Sequence, residues 1–160
     1  MITKIISGGQ TGADQGGLQA AKLCGILTGG YCPKGGLTEK GNNSNLMSVY
    51  GLTETKSDKY PPRTFDNAKN SDGTIRIAKD FQSRGEILTL KAINQYGKPH
   101  IDVDINNPIA PQVVINWIVK NNIQILNVAG NKESSCVGIQ EYTTNFLVEI
   151  INHLKNTKWT

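Results

Sequence analysis

The chain has few of the residues that build metal and disulfide sites. Its 160 residues include three cysteines without Cys-x-x-Cys spacing and two histidines, His100 and His153, far apart in the sequence. An odd number of cysteines argues against a disulfide framework, and no histidine has a second ligand at zinc-site spacing. We therefore predict no metal site.

Long hydrophobic runs and blocks of like charge are also missing. No stretch approaches the roughly twenty apolar residues of a membrane span, and Met1 leads directly into a strand-like segment without room for a signal peptide. The net charge of +4 is scattered, and no aromatic residues are interleaved with the basic ones. We expect a cytoplasmic protein that binds neither membranes nor nucleic acids.

Glycine is the residue that the chain has in excess, at 17 of 160. The length suits a single domain over residues 1–160. Strand-like and helix-like segments alternate along it. The predicted strands are 2–6, 26–30, 74–78, 100–105 and 123–129, and the predicted helices are 13–24, 64–69, 86–96, 108–120 and 143–154.

This alternation predicts an α/β fold, a doubly wound and mostly parallel sheet flanked by helices. Segment 100–105 alternates apolar and acidic residues and is expected at or near a sheet edge. In such sheets, ligands bind outside the carboxyl ends of the strands. The polar stretch 31–63 is too long for a simple connection, which is typical of a functional or mobile loop.

The densest cluster of glycines lies where the first strand passes into the first helix. Residues 7–17 read SGGQTGADQGG, which matches neither G-x-G-x-x-G nor the P-loop motif with its lysine. Free amides at a helix start favour an anion, and glycine lets the backbone approach it closely. We predict a phosphate site here, formed by Ser7, Gly8, Gly9, Gln10, Thr11 and Gly12. Asp14 suits a dipole partner of the helix and a contact to a ligand hydroxyl equally well.

Further candidate ligand-binding residues follow other predicted strands or begin helices. A second glycine-rich turn follows the second strand, an arginine and a predicted N-cap threonine begin the helix at 64, and small or basic residues follow the third and last strands. The arginine could clamp a phosphate with two hydrogen bonds, but an ordinary surface position explains it equally well. These candidates are Gly30, Lys34, Arg63, Thr64, Ser83, Arg84, Gly85, Gly130, Lys132 and Ser134.

Several of these motifs together resemble one protein family. They are SGGQTGADQGGLQAA, GILTGGYCPKG, Tyr60-x-x-Arg63-Thr64, SDGT at 71–74 and NVAGNKES at 127–134. In order and over nearly the whole chain, they resemble the putative molybdenum carrier family, the circularly permuted YpsA-related branch of the SLOG superfamily that includes the LOG proteins. The resemblance implies a Rossmann-like fold, a homo-oligomer and a phosphorylated small-molecule ligand, either a nucleotide or molybdenum cofactor, whose pterin carries a phosphate.

Two positions depart from the family pattern. Asn131 and Lys132 stand where relatives carry Pro-Arg, which replaces a bidentate guanidinium with a point charge. Residues 42–45 read NNSN where relatives tend to have a proline, which predicts a loop of different shape.

The leading functional prediction is a carrier that binds its ligand without turnover. LOG relatives instead cleave the N-glycosidic bond of nucleoside monophosphates, and in that alternative Arg84 and Glu86 would be the catalytic residues. The LOG signature, Pro-Gly-Gly with a following Gly-Thr, is absent in recognisable form. A sensor or sequestering protein for a nucleotide second messenger is a third interpretation that the sequence leaves open.

Overall fold

A computed structural model describes residues 1–157 of the chain. The secondary-structure elements, in chain order, are β1 (Lys4–Ile6), α1 (Ala13–Leu23), β2 (Leu27–Gly29), β3 (Tyr31–Cys32), a 3₁₀ turn (Lys34–Gly36), β4 (Leu37–Thr38), β5 (Gly41–Asn42), α2 (Asn45–Ser48), β6 (Thr53–Glu54), α3 (Tyr60–Lys69), β7 (Gly73–Ala78), α4 (Arg84–Tyr96), β8 (His100–Asp104), α5 (Pro111–Lys120), β9 (Ile125–Gly130) and α6 (Ile139–Asn156).

Five of the strands form one parallel sheet in the order β2-β1-β9-β7-β8. The prediction of an α/β fold with a doubly wound, mostly parallel sheet is confirmed, and β8 lies at the edge as its alternating sequence indicated. Because the strands are parallel, the loops that follow β1, β7, β8 and β9 all emerge at one edge. That edge carries the candidate site.

The two faces of the sheet differ in polarity. Ile5, Ile75 and Val128 belong to the main apolar core, which includes side chains of α1, α5 and α6. Because strand side chains alternate between faces, the intervening residues point to the opposite side, near α3 and α4. There the buried residues Thr74 and Asn127, on neighbouring strands, are joined by a side-chain hydrogen bond of 3.1 Å. Thr74 and Asn127 therefore satisfy each other within the protein.

The polar stretch 31–63 is more ordered than the sequence indicated. It contains two short strand pairs, β3 with β6 and β4 with β5, together with α2 and the beginning of α3. A second small core holds the stretch against α1 and comprises Leu18, Cys32, Leu46 and Leu52. Scattered apolar residues in this segment therefore stabilise it although none of its elements is long enough to give a periodic pattern.

Three helix starts differ from the prediction by three or four residues: α3 and α6 begin earlier, and α5 begins at Pro111 instead of 108. Helix α3 begins at Tyr60, with prolines in its first turn, so Thr64 lies inside the helix and donates its hydroxyl hydrogen to the Tyr60 carbonyl (3.1 Å) instead of forming an N-cap. Proline is favoured at a helix start because its missing N–H needs no partner there. Helix α6 begins at Ile139, four residues before its predicted start. Within residues 1–157, no helix is both long and apolar enough to cross a bilayer.

Candidate functional site

A cavity of about 400 Å³ opens at the carboxyl edge of the parallel sheet. Four segments line it: the loop after β1 with the start of α1, the first turns of α3, the first turns of α4, and the loop after β9. Its lining residues are Gln10, Asp14, Tyr60, Arg63, Thr64, Ser83, Arg84, Gly85, Glu86, Leu88, Thr89, Ala129, Gly130, Asn131, Lys132 and Ser135.

The start of α4 forms the more open wall of this cavity. Ser83 is the N-cap, and its Oγ accepts a hydrogen bond of 3.4 Å from the Glu86 amide. The amides of Arg84 and Gly85 have no hydrogen-bond acceptor among the described residues, and the Arg84 side chain is exposed. Beyond the neighbouring residues and the backbone of α4 itself, no atom of the described residues lies within 4 Å of the Cβ position at Gly85. This helix start can therefore receive an anion.

A buried ion pair lies opposite, between α1 and α3. Arg63 Nη1 donates to Asp14 Oδ2 at 3.2 Å, and the same oxygen accepts from the Gln10 amide at 3.2 Å. Burial raises the pKa of Asp14, and the charge of Arg63 and the hydrogen bonds only partly offset it. A Cβ on Gly8 would lie 1.9 Å from Arg63 Nη1, so this glycine lets the guanidinium pack on the loop.

The floor of the cavity carries a second acidic group, Glu86, which is only 2% exposed. Arg76 on β7 lies behind it, with Nη1 3.8 Å from Glu86 Oε2, and binds both carboxylate oxygens of Asp102 at 2.8 and 2.5 Å. Burial raises the pKa of Glu86 from 4.5 to about 7; Arg76 lowers it in part, and Asp14 and Asp102 add to the increase. Glu86 is thus poised to exist in both protonation states near neutral pH.

The circularly permuted YpsA SLOG family matches residues 5–151 of the chain. The chain belongs to this family. A solved structure described as a putative molybdenum carrier protein from Syntrophus aciditrophicus has a TM-score of 0.82 and 37% sequence identity, with 94% of each chain covered. No curated protein matches the chain. The resemblance to this family is thereby confirmed.

In this SLOG domain, the loop after β1 uses its amides internally. The amide of Gly9 donates to Ser7 Oγ, that of Thr11 to Gln10 Oε1, and that of Gly12 to Gln140 Oε1, at 3.0 to 3.2 Å. The Ser7 hydroxyl is fully buried and donates to the Asp14 carbonyl oxygen at 3.1 Å. Of the six loop residues predicted to bind phosphate, Gln10 alone lines the cavity. The loop thus lies at the carboxyl edge of the sheet, as predicted, but its amide and hydroxyl donors are already hydrogen-bonded to other groups of the protein.

The glycines of this loop serve close packing of the chain. Gly12 has a φ of 85°, and a Cβ there would lie 2.4 Å from the carbonyl oxygen of Asn131. Gly9, with a φ of 76°, would carry its Cβ 2.7 Å from Leu46 Cδ1 in the small core. Backbone and apolar neighbours therefore require these glycines.

Three predicted ligand-binding residues hold a carboxylate of the protein itself. The hydroxyls of Thr11 and Ser134 and the Ser134 amide donate to Glu39, and Lys132 Nζ lies 3.9 Å from Glu39 Oε2. Partial burial raises the pKa of Glu39, but the hydrogen bonds from Ser134 and Thr11 and the charge of Lys132 outweigh it and lower the pKa. Lys132 lines the cavity, whereas Thr11 and Ser134 do not.

The remaining predicted residues divide into two groups. Arg63, Thr64, Ser83, Arg84, Gly85 and Gly130 line the cavity, together with Asp14 and Glu86. Gly30 and Lys34 do not: Gly30 packs against the Ser7 backbone, and Lys34 is exposed on the 3₁₀ turn.

Asn131, noted from the sequence only as a departure from relatives, ties two loops of the site together. Its Oδ1 accepts from the amides of Lys79 and Asp80 at 2.9 and 3.0 Å, and its Nδ2 donates to the Asp80 carbonyl at 2.9 Å. Arg76 and Glu39 were not among the residues predicted from the sequence. An arginine within the apolar strand TIRIA was a signal for a buried ion pair, whereas Glu39 lies in a segment without a readable pattern.

The cysteines lie apart from this site. Cys24, Cys32 and Cys136 are free and buried, and none lines the cavity. In the part of the chain that the structure describes, no three His, Cys, Asp or Glu side chains are grouped to hold a metal ion.

Proposed function

We propose that this protein is a carrier that binds a phosphorylated, nucleotide-like small molecule in the cavity at the carboxyl edge of its sheet. The observation that carries the proposal is the start of α4, where Arg84 and Gly85 offer amides without protein acceptors beside an exposed guanidinium. Lys132 supplies a second cation to the same cavity. Amides, dipole and cations together suit a phosphate.

This proposal moves the phosphate from the loop after β1 to the start of α4. The first loop already surrounds two carboxylates, Asp14 and Glu39, and a phosphate there would have to displace one of them. At the second helix start, Gly85 has free space and its amide has no acceptor among the described residues. An anion binds where donors are unpaired, because no internal hydrogen bond has to be broken first.

The ligand classes implied by the family fit this cavity. Molybdenum cofactor and nucleotides share a phosphate and a nitrogen heterocycle. The lining offers the cations Arg84 and Lys132, together with polar and apolar side chains such as Thr89, Leu88 and Tyr60. Among residues 1–157 there is no grouped set of metal-ligating side chains. These residues suit the organic part of such a cofactor, and the protein would hold it by its phosphate and ring.

The test is isothermal titration of the purified protein with nucleoside 5′-monophosphates, combined with native mass spectrometry of the protein mixed with molybdenum cofactor. Arg84→Ala should weaken binding of any phosphorylated ligand about tenfold, because one charge-assisted hydrogen bond is lost. Lys91→Ala, which removes an exposed cation on the same helix, is the matched control and should change nothing. Absence of binding by every phosphorylated probe would refute the proposal.

One observation favours a second candidate function, hydrolysis of a nucleoside-monophosphate N-glycosidic bond. Glu86 is a buried carboxyl with a pKa of about 7 in the cavity, which suits a general acid that protonates the departing base while water attacks C1′. This candidate predicts release of free base by the wild type and none by Glu86→Gln. No release across the nucleoside monophosphates would exclude it and leave the carrier.

A further inference from the structure

A buried arginine, Arg76 on β7, lies behind the cavity without lining it. It stands between two isoleucines in the strand TIRIA and is only 3% exposed. Burying an ion pair removes both charges from water, and apolar residues in its place often leave a protein equally stable or more stable. Stability alone therefore does not explain an arginine at this position.

Arg76 contacts the chain on both sides of the two open amides at the start of α4. Its Nη1 donates to the carbonyl oxygen of Glu86, in the first turn of the helix, at 3.2 Å. Its Cζ lies 5.1 Å from the ring centroid of Phe81, in the loop that precedes the helix, which is a cation–π contact. The amides of Arg84 and Gly85 lie between these two contacts in the sequence. One side chain thus ties the helix start to the sheet before and after them.

The edge strand fixes Arg76 in turn. Asp102 on β8 lies opposite Arg76 in the register of the sheet, and its two carboxylate oxygens accept from Nε at 2.8 Å and from Nη2 at 2.5 Å. Two parallel hydrogen bonds fix the plane of a guanidinium as well as its distance. Because Nε and Nη2 are held by Asp102, Nη1 is left to bind the first turn of α4. Asp102, like Arg76, is not among the residues that line the cavity.

We propose that Arg76 and Asp102 are positioning residues that hold the start of α4 in the geometry that binds the ligand's phosphate. They touch no ligand and act through the first turn of the helix. This inference rests on the proposed function, because it concerns the same phosphate. Hydrogen bonds weaken steeply as their angles worsen, so donors that are fixed before the ligand arrives bind it more tightly than donors on a loose helix end.

The variant Asp102→Asn tests the pair without altering Arg76, α4 or the lining of the cavity. Asparagine keeps one acceptor oxygen and places an NH₂ group where the second oxygen was, so one of the two hydrogen bonds to the guanidinium is lost. The two possible consequences for a bound phosphate have opposite signs. Removal of a negative charge strengthens anion binding if charge alone matters, whereas a loosened helix start weakens it.

The measurement is isothermal titration with inosine 5′-monophosphate at pH 8.5. This pH lies above the Glu86 pKa of about 7, and the charge of Asp102 raises that pKa, so Glu86 is ionised in the wild type and in Asp102→Asn. We expect Asp102→Asn to weaken binding about threefold, because one hydrogen bond of a bidentate pair is lost. Arg76→Lys, which keeps the charge but loses the planar guanidinium, should weaken it about fivefold.

Ile75→Val is the matched control, because it lowers stability without changing the helix start. Ile75 is fully buried in the main core on the other face of β7, so the shorter side chain should lower the urea midpoint and leave the affinity unchanged. In the ¹⁵N spectrum of the free protein, the amide resonances of Arg84 and Gly85 should move in Arg76→Lys and keep their positions in Ile75→Val. Far-ultraviolet circular dichroism checks that each variant is folded.

The outcomes separate this inference from the proposed function. Equal or tighter binding of inosine 5′-monophosphate by Asp102→Asn would overturn the inference, while binding by the wild type and its loss in Arg84→Ala would leave the phosphate site in place. Unmoved resonances of Arg84 and Gly85 in Arg76→Lys would also overturn the inference, because the pair would then not act through α4. Absence of binding by the wild type would overturn the proposed function and the inference with it.

Discussion

Two strand-to-helix junctions of this protein contain glycine and lie at the same edge of the sheet, yet they differ in what they leave free. The junction before α1 is closed on itself: its amides, hydroxyls and glycines all contact protein groups, two carboxylates among them. The junction before α4 is open, with unused amides and empty space beside Gly85. Glycine density in a sequence thus indicates close approach of the backbone, and the approaching group can be the protein itself.

The comparison predicts opposite effects of the same substitution at the two junctions. Gly12→Ala should lower the free energy of unfolding by about 3–5 kcal/mol, because the Cβ meets the Asn131 carbonyl and φ is 85°. Gly85→Ala, in the first turn of α4 with free space around it, should leave stability unchanged or raise it by up to about 1 kcal/mol. Urea denaturation of both variants measures the difference.

Equal stability of the two alanine variants would contradict the view that the first loop is packed and the second is open.

The buried carboxyl beside the open junction predicts a pH dependence of stability. The pKa of Glu86 is about 7 in the folded protein and 4.5 ordinarily, so the folded state binds the proton more tightly. The stabilisation of the folded state that comes from protonated Glu86 is fully present below pH 4.5, declines as the pH rises, and is lost above pH 7. Between pH 4.5 and pH 8, the free energy of unfolding of the wild type should fall by about 3 kcal/mol relative to that of Glu86→Gln.

Denaturation of the wild type and Glu86→Gln at both pH values measures this loss. Glu149→Gln is the control. Because Glu149 is exposed, the free energies of unfolding of the wild type and of this variant should change with pH in parallel. If the wild type and Glu86→Gln differed by the same free energy of unfolding at pH 4.5 and at pH 8, the raised pKa of Glu86 would be contradicted.

The smallest effect is expected from the second carboxylate of the closed junction. Glu39→Gln keeps an acceptor oxygen for the Thr11 hydroxyl and the Ser134 amide and removes the charge near Lys132. The free energy of unfolding should therefore change by about 1 kcal/mol or less. Hydrogen exchange of residues 37–42 should nevertheless accelerate, because Glu39 ties this segment to the loops after β1 and β9. Unchanged exchange there would show that Glu39 does not hold the segment.

The fold could be predicted from the sequence because its elements have regular patterns. Buried strands such as TIRIA alternate with helices that end at glycines such as Gly97, and this order predicts a parallel sheet. The edge position of β8 follows from its alternating apolar and acidic residues. The segment 31–59 could not be predicted, since its strands have two residues each and its core depends on contacts with α1.

The site was predictable at the level of which loops meet, because parallel strands bring their carboxyl ends together. Ser83, Arg84, Gly85 and Glu86, which follow the third predicted strand, were selected in this way and line the cavity. Which donors are free could not be predicted, because this depends on acceptors far away in sequence: Gln140 for the Gly12 amide and Glu39 for Thr11. Spacing along the chain contains no information on such partners.

The most direct test of the central claim, that the ligand's phosphate is held before α4 and not before α1, is a ¹⁵N-resolved NMR titration of the protein with inosine 5′-monophosphate. The amide resonances of Arg84 and Gly85 should shift with the ligand, while those of Gly9 and Gly12 keep their positions. Shifts at Gly9 and Gly12 with none at Gly85 would contradict the claim and place the phosphate in the glycine-rich loop after β1.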